Sequence, residues 1–167
     1  APSRGLGDVY KRQIQVGDLQ VAAIVAVNAC GNVVDYETNE LLAGVYDSHS
    51  GSVLKAQDVL FQQMDALRKL PEGNTTIGCF VTNAKLDKAQ CTKIAGIAHN
   101  GYARAIHPVH TMSDGDSIFV LSSGEVEVMA DAVGMLATEM MAKAIKRAVL
   151  HAESAYGLPA HSDVICK

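Results

Sequence analysis

The segment Gly73-Asn74-Thr75-Thr76-Ile77-Gly78-Cys79-Phe80-Val81-Thr82-Asn83-Ala84 is a turn signal that runs straight into an apolar, β-branched stretch and stops at a polar pair. Pro71 and Gly73 interrupt the helical pattern before it, and Ile77, Cys79, Phe80 and Val81 have the make-up of a sheet-core strand. We expect a loop feeding a buried strand, with Thr75 and Thr76 held at its mouth on a rigid element. Two threonines also open ordinary strands, so the residues alone leave that bland reading open.

Working outward toward the N-terminus, Pro71 closes a pattern in which Val53, Leu54, Val59, Leu60, Met64 and Leu67 stand at mainly helical spacing. The expected helix is capped by Ser52, after a polar loop from Val45 to Gly51. Val33-Val34-Asp35 and Glu40-Leu41-Leu42-Ala43 flank a polar tetrad and suggest a short hairpin. Before them, Gln15-Val16, a Gly17-Asp18 turn and the run Gln20 to Val27 read as a strand, a turn and a long buried strand ending at Asn28.

Toward the C-terminus, Asp87 with Gln90 three residues on is a capping-box variant for a helix to about Ala105, with Pro108 beyond its end. Ser117 to Leu121 is a further apolar strand, and Glu127 to roughly Ala155 a long helix with a wide apolar face. Helices packed on a multistrand sheet, an α/β arrangement, is as far as these periods reach.

The chain has 167 residues, 49% of them hydrophobic, enough for one domain with a real core. A net charge of -4 gives no electrostatic case for nucleic acid or an anionic membrane. No apolar run approaches the ~20 residues of a spanning helix. Cys30, Cys79, Cys91 and Cys166 stand far apart, without metal-ligand spacing. That usage fits free thiols in a reducing, cytoplasmic compartment better than disulfides or zinc. His49, His99, His107 and His110 include one close pair, His107-Pro108-Val109-His110, but its spacing is not that of a helical zinc motif. We assign these histidines to packing, loops or surface.

The opening segment, together with Asn83-Ala84-Lys85-Leu86, Ala98-His99-Asn100-Gly101-Tyr102-Ala103-Arg104-Ala105-Ile106 and Asp114-Gly115-Asp116-Ser117-Ile118-Phe119, resembles peptidase family S58. This is the family of the L-aminopeptidase D-amidase/D-esterase and the β-peptidyl aminopeptidases. The block from Val25 to Gly44 is family-like too, so the resemblance runs from Ile14 almost to the C-terminus. It implies a four-layer αββα sandwich similar to the N-terminal-nucleophile hydrolases and the ornithine acetyltransferases. It also implies a precursor that cuts itself immediately before a Ser or Thr, which becomes the N-terminal nucleophile of the smaller chain. The resemblance implies that here the bond would be Asn74/Thr75 and the nucleophile Thr75.

A threonine hydroxyl is a weak nucleophile near neutral pH and needs a base beside it. Freed by the cut, the α-amine of Thr75, with an ordinary pKa of about 7.7 to 8.0, supplies one a few bonds away. The family pattern places Asn28 as an oxyanion donor, although an Asn that simply ends a strand has the same look. It sets Asp116, with Asp114, near the amine of the substrate. Relatives carry a hydroxyl residue where Asp114 stands, and a run of solvated acids in a turn is the bland reading of that motif.

The resemblance therefore implies a self-processing aminopeptidase or amidase acting on small peptides or amino-acid amides through an acyl-enzyme. It calls for no cofactor and no metal. An ornithine-acetyltransferase-like acyltransferase and an uncleaved, inactive fragment are the rivals. Relatives assemble as homo-oligomers of cleaved heterodimers, and the same is expected of an intact version of this chain. Residues 1–13 stand outside the resemblance and read as a non-native, adapter-like leader, with a polar N-terminal arm as the other reading. That leaves 14–167 as one hydrolase domain, a fragment of a larger precursor. Residues 14–74 would end the first subunit, and 75–167 would form the second.

Overall fold

The computed structural model describes residues 9–62 and 73–165. Its main sheet has four strands in the order β1 (Val9–Val16), β2 (Leu19–Asn28), β7 (Thr75–Ala84) and β9 (Ser117–Val126). β1 and β2 form the expected antiparallel hairpin about Gly17-Asp18. β2 pairs antiparallel with β7, setting Asn28 opposite Thr75, and β7 pairs parallel with β9. Parallel neighbours need a long crossover. Here that crossover contains α2 (Lys88–Ala105) and the two-residue β8 (Ile106–His107). Residues 9–13, set apart in the sequence reading, lie in β1 opposite Ala22–Ala26.

α2 begins with the expected capping box: the Asp87 carboxylate accepts the Gln90 N–H, and the Gln90 side chain accepts the Asp87 N–H. Ile94, Ala98, Gly101, Tyr102 and Ala105 form its buried stripe. This packs against α3 (Ala130–Leu150), which buries Val133, Ala137, Met140, Met141, Ala144, Ile145 and Ala148. The two helices cover one face of the sheet. On that face β2 places Leu19, Val21, Ala23 and Val25, and β7 places Thr76, Gly78, Phe80, Thr82 and Ala84. Gly78 is needed there because a Cβ would stand 2.6 Å from the Tyr102 hydroxyl oxygen. Lys146 of α3 reaches Asp35 at 2.6 Å and Glu37 at 3.1 Å, tying the turn after β3 (Asn32–Val34) to the helix layer.

The opposite face of the sheet carries Ile24, Ile77, Val81, Phe119 and Leu121, all exposed. The described residues thus provide one helix layer and one sheet layer of the expected sandwich.

The region before β7 differs from the sequence reading. Ser52 does not cap a helix: Ser52–Leu54 is β6, antiparallel to β5 (Val45–Asp47), which occupies the start of the expected polar loop. The helix is α1 (Ala56–Gln62), and the rest of the expected helix lies outside the described residues. Val53 and Leu54 fit a helical spacing, but their backbones pair with Tyr46 and Val45. The β3–β4 hairpin forms as expected, with β4 at Leu41–Ala43.

Candidate active site

Because β7 and β9 run parallel, the segments entering them meet at one edge of the sheet. An isolated bridge between Asn74 and Asp114 extends their pairing past both strand ends. Asn28, Asn74, Thr75, Asp114 and Asp116, far apart in sequence, are thereby gathered at one place.

Thr75 lies on the face of β7 away from the helices and is partly buried. Its hydroxyl donates to the Asn74 carbonyl oxygen at 2.5 Å, and the Gly115 N–H donates to the same oxygen at 3.1 Å. Gly115 has little room for a side chain, since a Cβ would stand 2.9 Å from the Thr75 hydroxyl oxygen. The sequence reading missed this donor because a backbone amide carries no side-chain signature. The glycine between two acids was the only available signal.

Asn28 sits opposite Thr75, but its side-chain amide donates to the Gly73 carbonyl at 3.1 Å, one peptide upstream of the Asn74/Thr75 bond. Asp114 and Asp116 have separate tasks. One Asp114 carboxylate oxygen accepts the Thr111 N–H at 2.8 Å and the Thr111 hydroxyl at 2.7 Å, closing the turn before β9. Asp116, its side chain only 4% exposed, accepts the Thr76 N–H at 2.7 Å through one oxygen. Its other oxygen lies 2.9 Å from the His110 ring Nδ1. No aligned hydrogen bond forms at that oxygen.

Beside Asn28 and Asn74 opens a cavity of about 420 Å3, walled by Val27, Ala29, Gly31, Val33 and Ala43. Burial pushes the Cys30 and Cys79 thiols above their ordinary values, which opposes thiolate chemistry at either.

The model of peptidase family S58 matches residues 5–162, a span that takes in part of the stretch set apart in the sequence reading. An uncharacterized aminopeptidase of Mycobacterium bovis is 36% identical over 167 aligned positions, covering 86% of this chain and 47% of the relative. The 6-aminohexanoate-oligomer endohydrolase of Paenarthrobacter ureafaciens is 29% identical, with 86% and 44% covered. This chain thus spans about half the length of the curated relatives it matches. Among solved structures, the L-aminopeptidase D-Ala-esterase/amidase of Ochrobactrum anthropi superposes with a TM-score of 0.59 at 18% identity, covering 93% of this chain and 43% of its own. The β-aminopeptidase of a Burkholderia species superposes with a TM-score of 0.53 at 20% identity, with 86% and 42% covered. The first of these is described as a variant of the N-terminal-nucleophile hydrolase fold, and the likeness shows that fold here. By the family match across nearly its whole length, and by a relative more than a third identical, the chain belongs to peptidase family S58.

Proposed function

We propose that this chain is part of a self-processing N-terminal-threonine aminopeptidase or amidase that removes N-terminal residues from small peptides or amides through an acyl-enzyme. The observation that carries the reading is the pair of donors on the Asn74 carbonyl oxygen, one of them the Thr75 hydroxyl itself. Family membership and the aminopeptidase name of the relative support it.

In self-processing, the Thr75 oxygen bonds to the Asn74 carbonyl carbon, the peptide C–N bond breaks, and the hydroxyl proton passes to the departing nitrogen. An ester results. Water then releases Asn74 as a carboxylate and restores the Thr75 hydroxyl beside its new α-amine. Negative charge gathers on the Asn74 oxygen in both steps, and Gly115 already offers that oxygen an N–H at 3.1 Å. Fixed donors aimed at such an oxygen need little rearrangement as charge develops.

Departure of the segment before Thr75 would free the Asn28 amide from the Gly73 carbonyl. It could then serve the oxyanion of an incoming substrate. The uncharged cavity beside it suits an uncharged acyl side chain. Asp116, with Asp114 bracing the same loop, puts negative charge near the substrate amine. The scattered, unpaired thiols of Cys30, Cys79 and Cys91 support a cytoplasmic setting. Assembly of cleaved pairs into a homo-oligomer belongs to the same reading.

Intact mass of the purified chain beside a Thr75→Ala control tests the proposal. Two fragments meeting at Asn74/Thr75, absent from the control, are expected. A wild-type chain that stays whole would reject self-processing.

A further inference from the structure

Behind the candidate nucleophile lies a cluster of which the steps above use only Asp116. His99 and Tyr102 enter it from α2, His110 and Asp116 from the segment leading into β9, and Thr76 from β7. The His110 ring meets His99 edge-on, with centroids 4.8 Å apart, and stacks over Tyr102 at 6.1 Å. Its backbone is left-handed, at φ 56°.

Charge can be assigned within the cluster. Burial, helped by the neighbouring His110, pushes the His99 ring below its ordinary value, so that ring is neutral near pH 7. Burial and the Asp116 charge hold the Tyr102 phenol far above its ordinary value. Tyr102 instead donates to the Ser117 carbonyl at 3.3 Å. Among the groups that face His110 here, Asp116 is the one carboxylate, with an oxygen 2.9 Å from the His110 Nδ1. The His110 side chain is 39% exposed against 4% for Asp116, so the imidazole can exchange its proton with solvent while the carboxylate stays enclosed.

We propose that His110 is a positioning residue for Thr75: as imidazolium it anchors the Asp116 carboxylate, whose other oxygen holds the Thr76 N–H and with it the start of β7. The inference rests on Thr75 being the self-cleavage nucleophile, but the link from His110 to Thr76 can be measured without cleavage. An unanchored carboxylate leaves the first peptide of β7 free to swing, and a small displacement of the hydroxyl from the Asn74 carbonyl carries a large rate cost.

His110→Asn is the informative substitution, because Asn tolerates a left-handed backbone and carries no charge at any pH. In the uncleavable Thr75→Ala chain, adding His110→Asn should speed amide hydrogen exchange at Thr76 on the order of tenfold at neutral pH or below, with Phe80 unchanged. In the cleavable chain, wild type should self-cleave on the order of tenfold faster than His110→Asn. That ratio should shrink as pH rises, because the anchoring form of His110 carries a proton. Unchanged Thr76 exchange, or a rate ratio that does not vary with pH, would overturn the inference. Accelerated Thr76 exchange in a protein whose wild type never cleaves would sink self-processing while upholding the link from His110 to β7.

Discussion

Gly115 and Thr75 approach closely enough to make a single methyl group informative. Alanine at 115 would set a Cβ 2.9 Å from the Thr75 hydroxyl oxygen, while Gly115 itself is exposed and the hydrogen bonds of its loop run through backbone and Asp114. Gly115→Ala should therefore slow self-cleavage on the order of tenfold or more with little change in thermal midpoint. The rate at which the intact mass disappears measures the first quantity and calorimetry the second. An equal loss of stability and rate would show that the loop, rather than the hydroxyl, had moved. The sequence pointed to Thr75, Asn28, Asp114 and Asp116 through their side-chain chemistry. It could not show that Asn28 binds the Gly73 carbonyl, or that Asp114 spends one carboxylate oxygen on Thr111. The first depends on how the end of β2 meets the entrance of β7, and the second on a short turn that no periodicity marks.

At the scale of elements, α2 is the rigid spacer that brings the β9 entrance beside the β7 entrance. Its first turn is held by the reciprocal bonds of Asp87 and Gln90, so Asp87→Ala should lower stability by about 1 kcal/mol. Denaturant melts of the two proteins measure this, and an unchanged midpoint would mean that packing against α3 alone holds the helix start. α2, α3 and the strands of the main sheet, apart from residues 9–13 of β1, were legible because each is long enough to repeat its period several times. β5 and β6 were not. Three residues hold too little alternation to register, and Ser52, Val53 and Leu54 satisfy the opening of a helix as readily as a strand. What decides them is pairing with Val45, Tyr46 and Asp47, which no local pattern records.

Across the whole molecule, one charge network ties the β3–β4 turn to the helix layer. Lys146 holds the Asp35 carboxyl below the usual carboxylate range, and Lys143, with Tyr36 and Arg104, does the same for Glu139. A lowered folded-state pKa contributes stability above the unfolded value, near 3.9 for Asp, and that stability is lost as pH falls through the folded value. Thermal midpoints should therefore fall on acidification from about pH 5 to about pH 2, and less steeply in Lys146→Met. Parallel curves for the two proteins would remove the pair from the account.

The pairing of β2 with β7 also bears on what a cut at Asn74/Thr75 would leave behind. Eight residue pairs, from Val21 with Thr82 to Asn28 with Thr75, join one side of that bond to the other. Helix α3, on the later side, packs on β1 and β2, which belong to the earlier one. Breaking the bond would make two polypeptides but not two separable bodies. The seam runs through the middle of a continuous sheet, so the halves could trade partners only by unfolding. Each active site would keep for life the two pieces it was born with.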